Sequence, residues 1–368
     1  MAKFAAVPIS FFGYGCLIEV KNIILREKFK RIFIISSKDL VELKIVGKVI
    51  NDLDINDYVL FDNVVENPTI ENVKEGSNLF NISDCDCIIA IGGGSVLDCA
   101  KAIRLNVSEG GEIEKYKIPY VVKNKGVFLI CVNTTQGTGS EVSRAFLINI
   151  GSNKSIYKDD YCIPDVAVND VSIMMELPKK ITAFTVFDAL THSIESYIST
   201  NTFEICKILS IQAIKIIFEN LQKVFSEDKV DINIRENLSL AQYLAGLSFG
   251  SAGLGLVHSI SHQLSAIYNL PHGLCNAIIL PYVLEFYKEK ISLDYEKIEK
   301  EIGLDKDFIQ IINELLIKVE ITEKLSDLGV KKEDFELLAK KTLDDGCIGT
   351  SPYKPSQIEI IEILKRAF

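Results

Sequence analysis

The chain has 368 residues, 48% of them hydrophobic and 24% charged, with a formal net charge of -10. Such a length exceeds what one core usually supports and predicts two domains. The acidic balance, without clustered Lys and Arg, excludes a nucleic-acid surface. Nine cysteines without a CxxC pair, behind an N-terminus lacking the apolar run of a signal peptide, point to reduced thiols in a soluble, cytoplasmic protein.

In chain order, buried strands are predicted at residues 31–36 (RIFIIS), 58–61 (YVLF), 87–91 (CIIAI) and 127–132 (VFLICV). Residues 40–50 and 96–105 between them carry helical apolar spacing. Strands separated by helices imply βαβ units, hence a doubly wound parallel sheet. Residues 144–150 and 154–157, around the turn Gly151-Ser152-Asn153, read as a hairpin appended to that sheet. Beyond Leu177-Pro178 the pattern turns helical, over 182–199, 203–225 and 232–247. The fold class is therefore α/β plus all-α. An α/β dinucleotide-binding domain is expected over 1–177, and a helical metal-binding, catalytic domain over 178–368, with Pro178 at a helix start. Residues 237–284 contain no Asp, Glu, Lys or Arg. Their glycines, histidines and amides would be unsatisfied in a bilayer, so they read as buried helices around a polar centre, not as a membrane span.

Two loops have the chemistry to hold a phosphate. Gly92-Gly93-Gly94-Ser95 follows a strand and opens a helix, where glycine lets the backbone approach a ligand and the free N–H groups face an anion. Ser95 is expected to cap that helix. The run departs from GxGxxG at Leu97. Residues 133–141 (NTTQGTGSE) follow the next strand with glycines and hydroxyls, at the strand end where open sheets bind ligands.

Only four histidines occur: His192, His258, His262 and His272. Asp188 and His192 stand four apart on a predicted helix, as do His258 and His262, so each pair shares a face. A buried carboxylate needs a cation, and no Lys or Arg lies near His258 to His272. A divalent metal would supply the charge, and one carboxylate with imidazoles suits Fe(II) or Zn(II).

These strings resemble the iron-containing (group III) alcohol dehydrogenase family. The matching strings are GGGSVLDCAK from Gly92, TTQGTGSEVSR from Thr134, FDALTHSIESYIS from Phe187 and GLGLVHSISHQLSAIYNLPHGLCNAIILPYV from Gly253. The resemblance implies an NAD(P)-linked oxidoreductase that interconverts a small alcohol with its aldehyde or ketone and forms a homodimer. It implies metal ligands Asp188, His192, His258 and His272, holding Fe2+ with Zn2+ as the alternative, and His262 as a proton relay. Gly93, Gly94 and Ser95 would hold the pyrophosphate. Ser37, Asn67, Asp98, Thr134, Thr135, Thr138, Ser140 and Lys154 would complete the cofactor site.

The chain departs from the family pattern at Val186-Phe187, at Ser265-Ala266 and at Ser351-Pro352, so a particular substrate is not implied. Ser37 also stands where many NAD-using members carry Asp. A carboxylate there would accept from the ribose 2′-OH and repel a 2′-phosphate, so Ser37 predicts that NADP serves at least as well as NAD. A lyase or cyclase, or a polyol dehydrogenase, on the same general fold is the rival reading. The first would need Lys and Arg around the metal, against which residues 237–284 speak.

Overall fold

The structure, a computed structural model, describes residues 2–151, 153–226 and 229–368. It divides into two compact units, each built from one of the two pattern types in the sequence.

In the first unit the chain runs β1 (Ile9–Phe12), α1 (Ile18–Glu27), β2 (Ile32–Ile35), α2 (Lys38–Glu42), α3 (Ile45–Asp52), β3 (Tyr58–Phe61), α4 (Ile70–Asn81), β4 (Cys87–Gly92) and α5 (Gly94–Glu109). It continues through β5 (Phe128–Asn133), β6 (Ala145–Ile150), β7 (Asn153–Lys158) and β8 (Val166–Asn169). Six strands pair in parallel in the order β1-β8-β5-β4-β2-β3. Every residue of β2 and β4 is buried, because side chains alternate between two cores. Phe33, Ile35, Ile88 and Ala90 enter one core, and Ile32, Ile34, Ile89 and Ile91 the other. A sheet covered on both faces selects such unbroken apolar runs.

Three local features differ from expectation. Residues 40–50 form two helices instead of one. Lys44 takes a left-handed φ of 61° between them, and only the second helix buries side chains, Val46, Val49 and Ile50. The strands β1 and β8 have four residues each, too short for a periodic signal. Finally, β6 and β7 pair antiparallel as a sheet of their own instead of extending the large one. Ser152 of the expected turn lies outside the described residues. Buried Lys101 on α5 holds this hairpin, donating to the carbonyls of Ser143 (2.9 Å) and Ala145 (3.0 Å). Burial lowers its pKa, and the nearby Asp98 carboxylate partly opposes that.

The second unit comprises α6 (Lys179–Ile198), α7 (Glu204–Ser226), α8 (Ile232–Ala252), α9 (Leu256–Tyr268), α10 (His272–Tyr287), α11 (Ser292–Ile302), α12 (Phe308–Lys318), α13 (Phe335–Leu343) and α14 (Gln357–Ala367). Pro178 is the N-cap of α6, which is buried almost continuously from Thr182 onward, as a central helix must be. The uncharged stretch becomes the end of α8, then α9 and α10. Among the described residues no single helix is long and apolar enough to cross a membrane, and α8 and α9 meet at a 102° bend. Gly253 makes that bend with a φ of 86°.

Gln136–Thr138 also belongs to the helical unit, although it lies within the glycine-and-hydroxyl loop. Buried Arg235 on α8 holds it there. Its Nη1 donates to Gln136 Oε1 (2.9 Å) and Thr182 Oγ1 (2.7 Å), and its Nη2 to the Leu177 carbonyl (2.6 Å). The Gln136 amide returns a bond to the Arg235 carbonyl at 2.6 Å. Burial lowers the guanidinium pKa to about 10. Arg235→Leu orphans two buried acceptors, at roughly 1–3 kcal/mol each when left unpaired, and a third that is half-buried. Its urea-unfolding midpoint is expected to fall clearly, and an unchanged midpoint would remove the clamp from the account.

Candidate functional site

In the α/β unit the chain reverses its direction of travel across the sheet between β2 and β4, with β3 beyond one and β5 beyond the other. Open sheets bind ligands at the strand carboxyl ends at such a reversal. There Ser36 Oγ donates to the Ile91 carbonyl at 2.8 Å, tying the two strand ends together. Ser37 is the extended N-cap of α2 and makes no capping bond with its side chain. It is half-buried, while Lys38 and Asp39 are exposed.

The N-cap of α5 is Gly93, not Ser95 as expected, and no side chain caps this end. Ser95 Oγ instead accepts from the Asn67 N–H at 3.3 Å. Helix entry through glycine leaves the first-turn N–H groups open to an outside acceptor. Gly92 stands in register with Asn133, and the Thr134 N–H donates to the Gly92 carbonyl at 3.1 Å. The two loops therefore leave the sheet side by side. A Cβ on Gly93 would meet the Thr135 side chain at 2.8 Å, which is why glycine stands there.

Asn67, in a left-handed conformation (φ 54°), accepts from Lys154 Nζ at 3.4 Å, so Asn67, Ser95 and Lys154 form one corner. Ser140 Oγ donates to one Asp98 oxygen (2.5 Å) and the Leu147 N–H to the other (2.9 Å). Desolvation raises the Asp98 pKa, against the pull of Lys101 and these bonds. Of the residues expected at the cofactor, Thr138 alone falls in the helical unit.

In that unit Asp188 and His192 lie on α6, His258 and His262 on α9, and His272 opens α10. Three imidazole Nε2 atoms converge on one Asp188 oxygen: His258 at 3.5 Å, His192 at 3.6 Å and His272 at 3.7 Å. These separations are too long for hydrogen bonds. They approach the edge of a tetrahedron with arms of about 2.1 Å, which is about 3.4 Å. Ligand atoms of Asp188, His258 and His272 also lie within 4.8 Å of one another, so these three fit a divalent ion, with His192 adjoining them through Asp188. His192 also stacks on Phe249, ring centroids 4.2 Å apart. The His272 side chain is 23% exposed while the other three are buried, so the cluster opens on its side.

Three further polar residues complete the arrangement, and none was singled out from the sequence. Glu195 accepts from His258 Nδ1 at 2.6 Å and from the backbone N–H groups of Gly255 (3.0 Å) and Val257 (2.6 Å). With Nδ1–H thus engaged, the His258 Nε2 lone pair faces Asp188. Asn276 Nδ2 donates to Asp188 Oδ1 at 2.7 Å and lies 3.2 Å from Nε2 of both His258 and His272. Asp345 Oδ2 accepts from His262 Nδ1 at 3.0 Å and from Gln263 Nε2 at 3.2 Å. Glu195 follows His192 by three residues and Asn276 follows His272 by four, so helical spacing carried both. Asp345 lies 83 residues from its histidine and has no local signal.

The charges of these residues respond to one another. Burial raises the Asp188 pKa, but the histidines, His192 foremost, hold it well below the carboxylate range. Burial takes His192 down to about 4. Burial also disfavours the His258 cation, yet the Asp188 and Glu195 carboxylates facing its two nitrogens raise it to about 9. A cation is thus wanted at this spot, and without a metal His258 has to provide it.

Comparison with known proteins gives a consistent result. Residues 8–171 match the family model described as iron-containing alcohol dehydrogenase, and residues 182–368 the model of the C-terminal part of the Fe-containing alcohol dehydrogenase family. Alcohol dehydrogenase 4 of Saccharomyces cerevisiae is 36% identical over 98% of this chain and 97% of its own. Lactaldehyde reductase of Escherichia coli is 34% identical over the same shares. The NAD-dependent methanol dehydrogenase of Bacillus methanolicus is 32% identical over 100% of both. Among solved structures, the alcohol dehydrogenase of Oenococcus oeni superposes with a TM-score of 0.95 at 32% identity, over 100% of both chains.

Proposed function

The chain belongs to the iron-containing alcohol dehydrogenase family and is an oxidoreductase of alcohols and aldehydes, and on that premise we propose which of its residues carry the reaction. The observation behind the proposal is the convergence of three Nε2 atoms on one oxygen of Asp188. Asp188, His192, His258 and His272 would hold the metal, Fe(II) by family and Zn(II) as the alternative. Glu195 and Asn276 orient His258 and Asp188. When bound, the metal polarises the substrate oxygen, and a nicotinamide takes up or delivers the hydride.

His262 does not meet Asp188. Asp345 accepts from its Nδ1–H, which sets the tautomer with the lone pair on Nε2, the nitrogen proposed to take or give a proton. In the α/β unit, the uncapped start of α5 with Gly93, Gly94 and Ser95 would hold the pyrophosphate. Asn67 and Lys154 stand beside it, with Thr134, Thr135 and Ser140 lining the rest. Asp98 already accepts two bonds, and each of its oxygens keeps a lone pair for a cofactor amide. Small primary alcohols and short aldehydes are the proposed substrates, as the names of the relatives suggest. The described cysteines are free, in keeping with a cytoplasmic enzyme, and a homodimer is proposed by resemblance, to be checked by sedimentation.

His258→Ala and His272→Ala are each expected to lose stoichiometric iron, and full iron in both variants would overturn the ligand set. Glu195→Gln is expected to weaken iron binding by about 10–100-fold in chelator competition, because its ligand loses orientation but not its nitrogen.

His262→Ala is expected to keep its iron and lose turnover by on the order of 10²-fold, within the usual range for a proton-transfer group. Loss of iron in that variant would move His262 into the ligand set.

NADP(H) is expected to serve at least as well as NAD(H), because half-buried Ser37 offers a hydroxyl where a carboxylate would repel a 2′-phosphate. Steady-state kcat/KM for both cofactors decides it. A tenfold preference for NAD(H), about 1.4 kcal/mol, would sink the idea. Ser37→Asp is expected to shift selectivity toward NAD(H).

A further inference from the structure

The helical unit holds a second convergence of metal-binding side chains one turn along α9 from His258. Ligand atoms of His262, Asp345 and Cys347 all lie within 4.8 Å of one another. We propose that these three residues form an inhibitory zinc(II) site, separate from the Asp188 cluster.

The donor set is imidazole, carboxylate and thiol, contributed by a rigid helix and by the short 3-10 turn Gly346–Thr350. His262 Nδ1 and Asp345 Oδ2 are already 3.0 Å apart, close to the edge of a tetrahedron around zinc. Asp345 is held from three sides. Its Oδ1 takes the Cys347 N–H at 2.8 Å, and its Oδ2 takes His262 Nδ1 and Gln263 Nε2. The bond to the Cys347 backbone fixes the turn that carries the thiol beside the carboxylate. Closing the cluster around an ion needs the Cys347 side chain to move by at most about an ångström, since the atoms already lie within 4.8 Å and Zn–S is about 2.3 Å and Zn–N about 2.0–2.1 Å.

Ligand softness separates the two clusters. The Asp188 set offers only nitrogen and oxygen, whereas Cys347 adds a sulfur that favours zinc over ferrous iron or magnesium. Binding displaces the thiol proton of Cys347, while the neutral His262 ring switches tautomer and carries its proton on Nε2, so zinc replaces one proton and no electrons move. A water would fill the fourth position. His262 would then be fixed at Nδ1 by a cation, which lowers the basicity of Nε2 and stops the ring from exchanging protons. That inhibitory consequence, unlike the binding itself, rests on the role proposed for His262.

The test uses the iron-loaded enzyme titrated with Zn(II), with Co(II) as a spectroscopic stand-in, iron being counted throughout. The expected result is one further equivalent of metal, a thiolate-to-Co(II) charge-transfer band, and turnover that falls with zinc while iron stays bound. Cys347→Ala is expected to keep its iron and its turnover, to lose the band, and to need at least tenfold more zinc for the same inhibition. Absence of the band in the unaltered enzyme, or equal zinc sensitivity in Cys347→Ala, overturns the site. Loss of activity that tracks release of iron also overturns it, by placing the zinc at Asp188. A band without loss of turnover leaves the site standing and removes both its inhibitory effect and the proton-transfer role of His262.

Discussion

The helical unit is organised around one electrostatic constraint: the Asp188 carboxylate is buried among three imidazoles and one amide, and among the described residues no Lys or Arg pairs with it. A lone buried anion costs several kcal/mol, so the surrounding sequence must deliver positive charge to that point. It does so through three rings from three helices, all aimed at the same oxygen. The upward shift of His258, between the Asp188 and Glu195 carboxylates, has the same origin. The packing of α6, α9 and α10 is set by bringing those rings together. Gly273 lets α10 start against α6, for a Cβ there would fall 2.2 Å from the Phe184 carbonyl oxygen.

The α/β unit meets the opposite need, an unpaired anion to be bound, and supplies donors without side chains. Its glycine-opened helix leaves backbone N–H groups open where β2 and β4 end together. The polar residues around it chiefly hold one another. Ser95 fixes Asn67, Asn67 receives Lys154, and Ser140 with Leu147 fixes Asp98. A backbone cradle is better defined than one of flexible side chains, since its donors are positioned by the helix and the sheet register.

Much of this was legible in the sequence because it is local. Runs such as CIIAI and VFLICV report a sheet covered on both faces, and β4 and β5 lie within one residue of where those runs place them. The helical half follows from apolar spacing. Short elements were not legible: β1 and β8 have four residues each and owe their strand state to neighbours across the sheet. The break at Lys44 depends on which turns find a core to bury against. Ser95 was misplaced as a cap because the sequence shows that a hydroxyl is available, not that Gly93 already occupies the capping position.

The candidate site divides along the same line, as the two histidines of α9 illustrate. His258 and His262 share a face and a spacing, and nothing local separates them. Their difference comes from what each ring meets at both ends. His258 has Glu195 at Nδ1 and Asp188 at Nε2, so both nitrogens are committed and the ring cannot act as a proton carrier. His262 has Asp345 at Nδ1, and that partner arrives from a turn 83 residues away. A carboxylate behind a ring fixes its tautomer in both cases. The opposite nitrogen of His258 is committed to an ion by a second carboxylate, the one that α6 brings to it. The chemistry of α9 is therefore decided by its neighbours rather than by its own sequence.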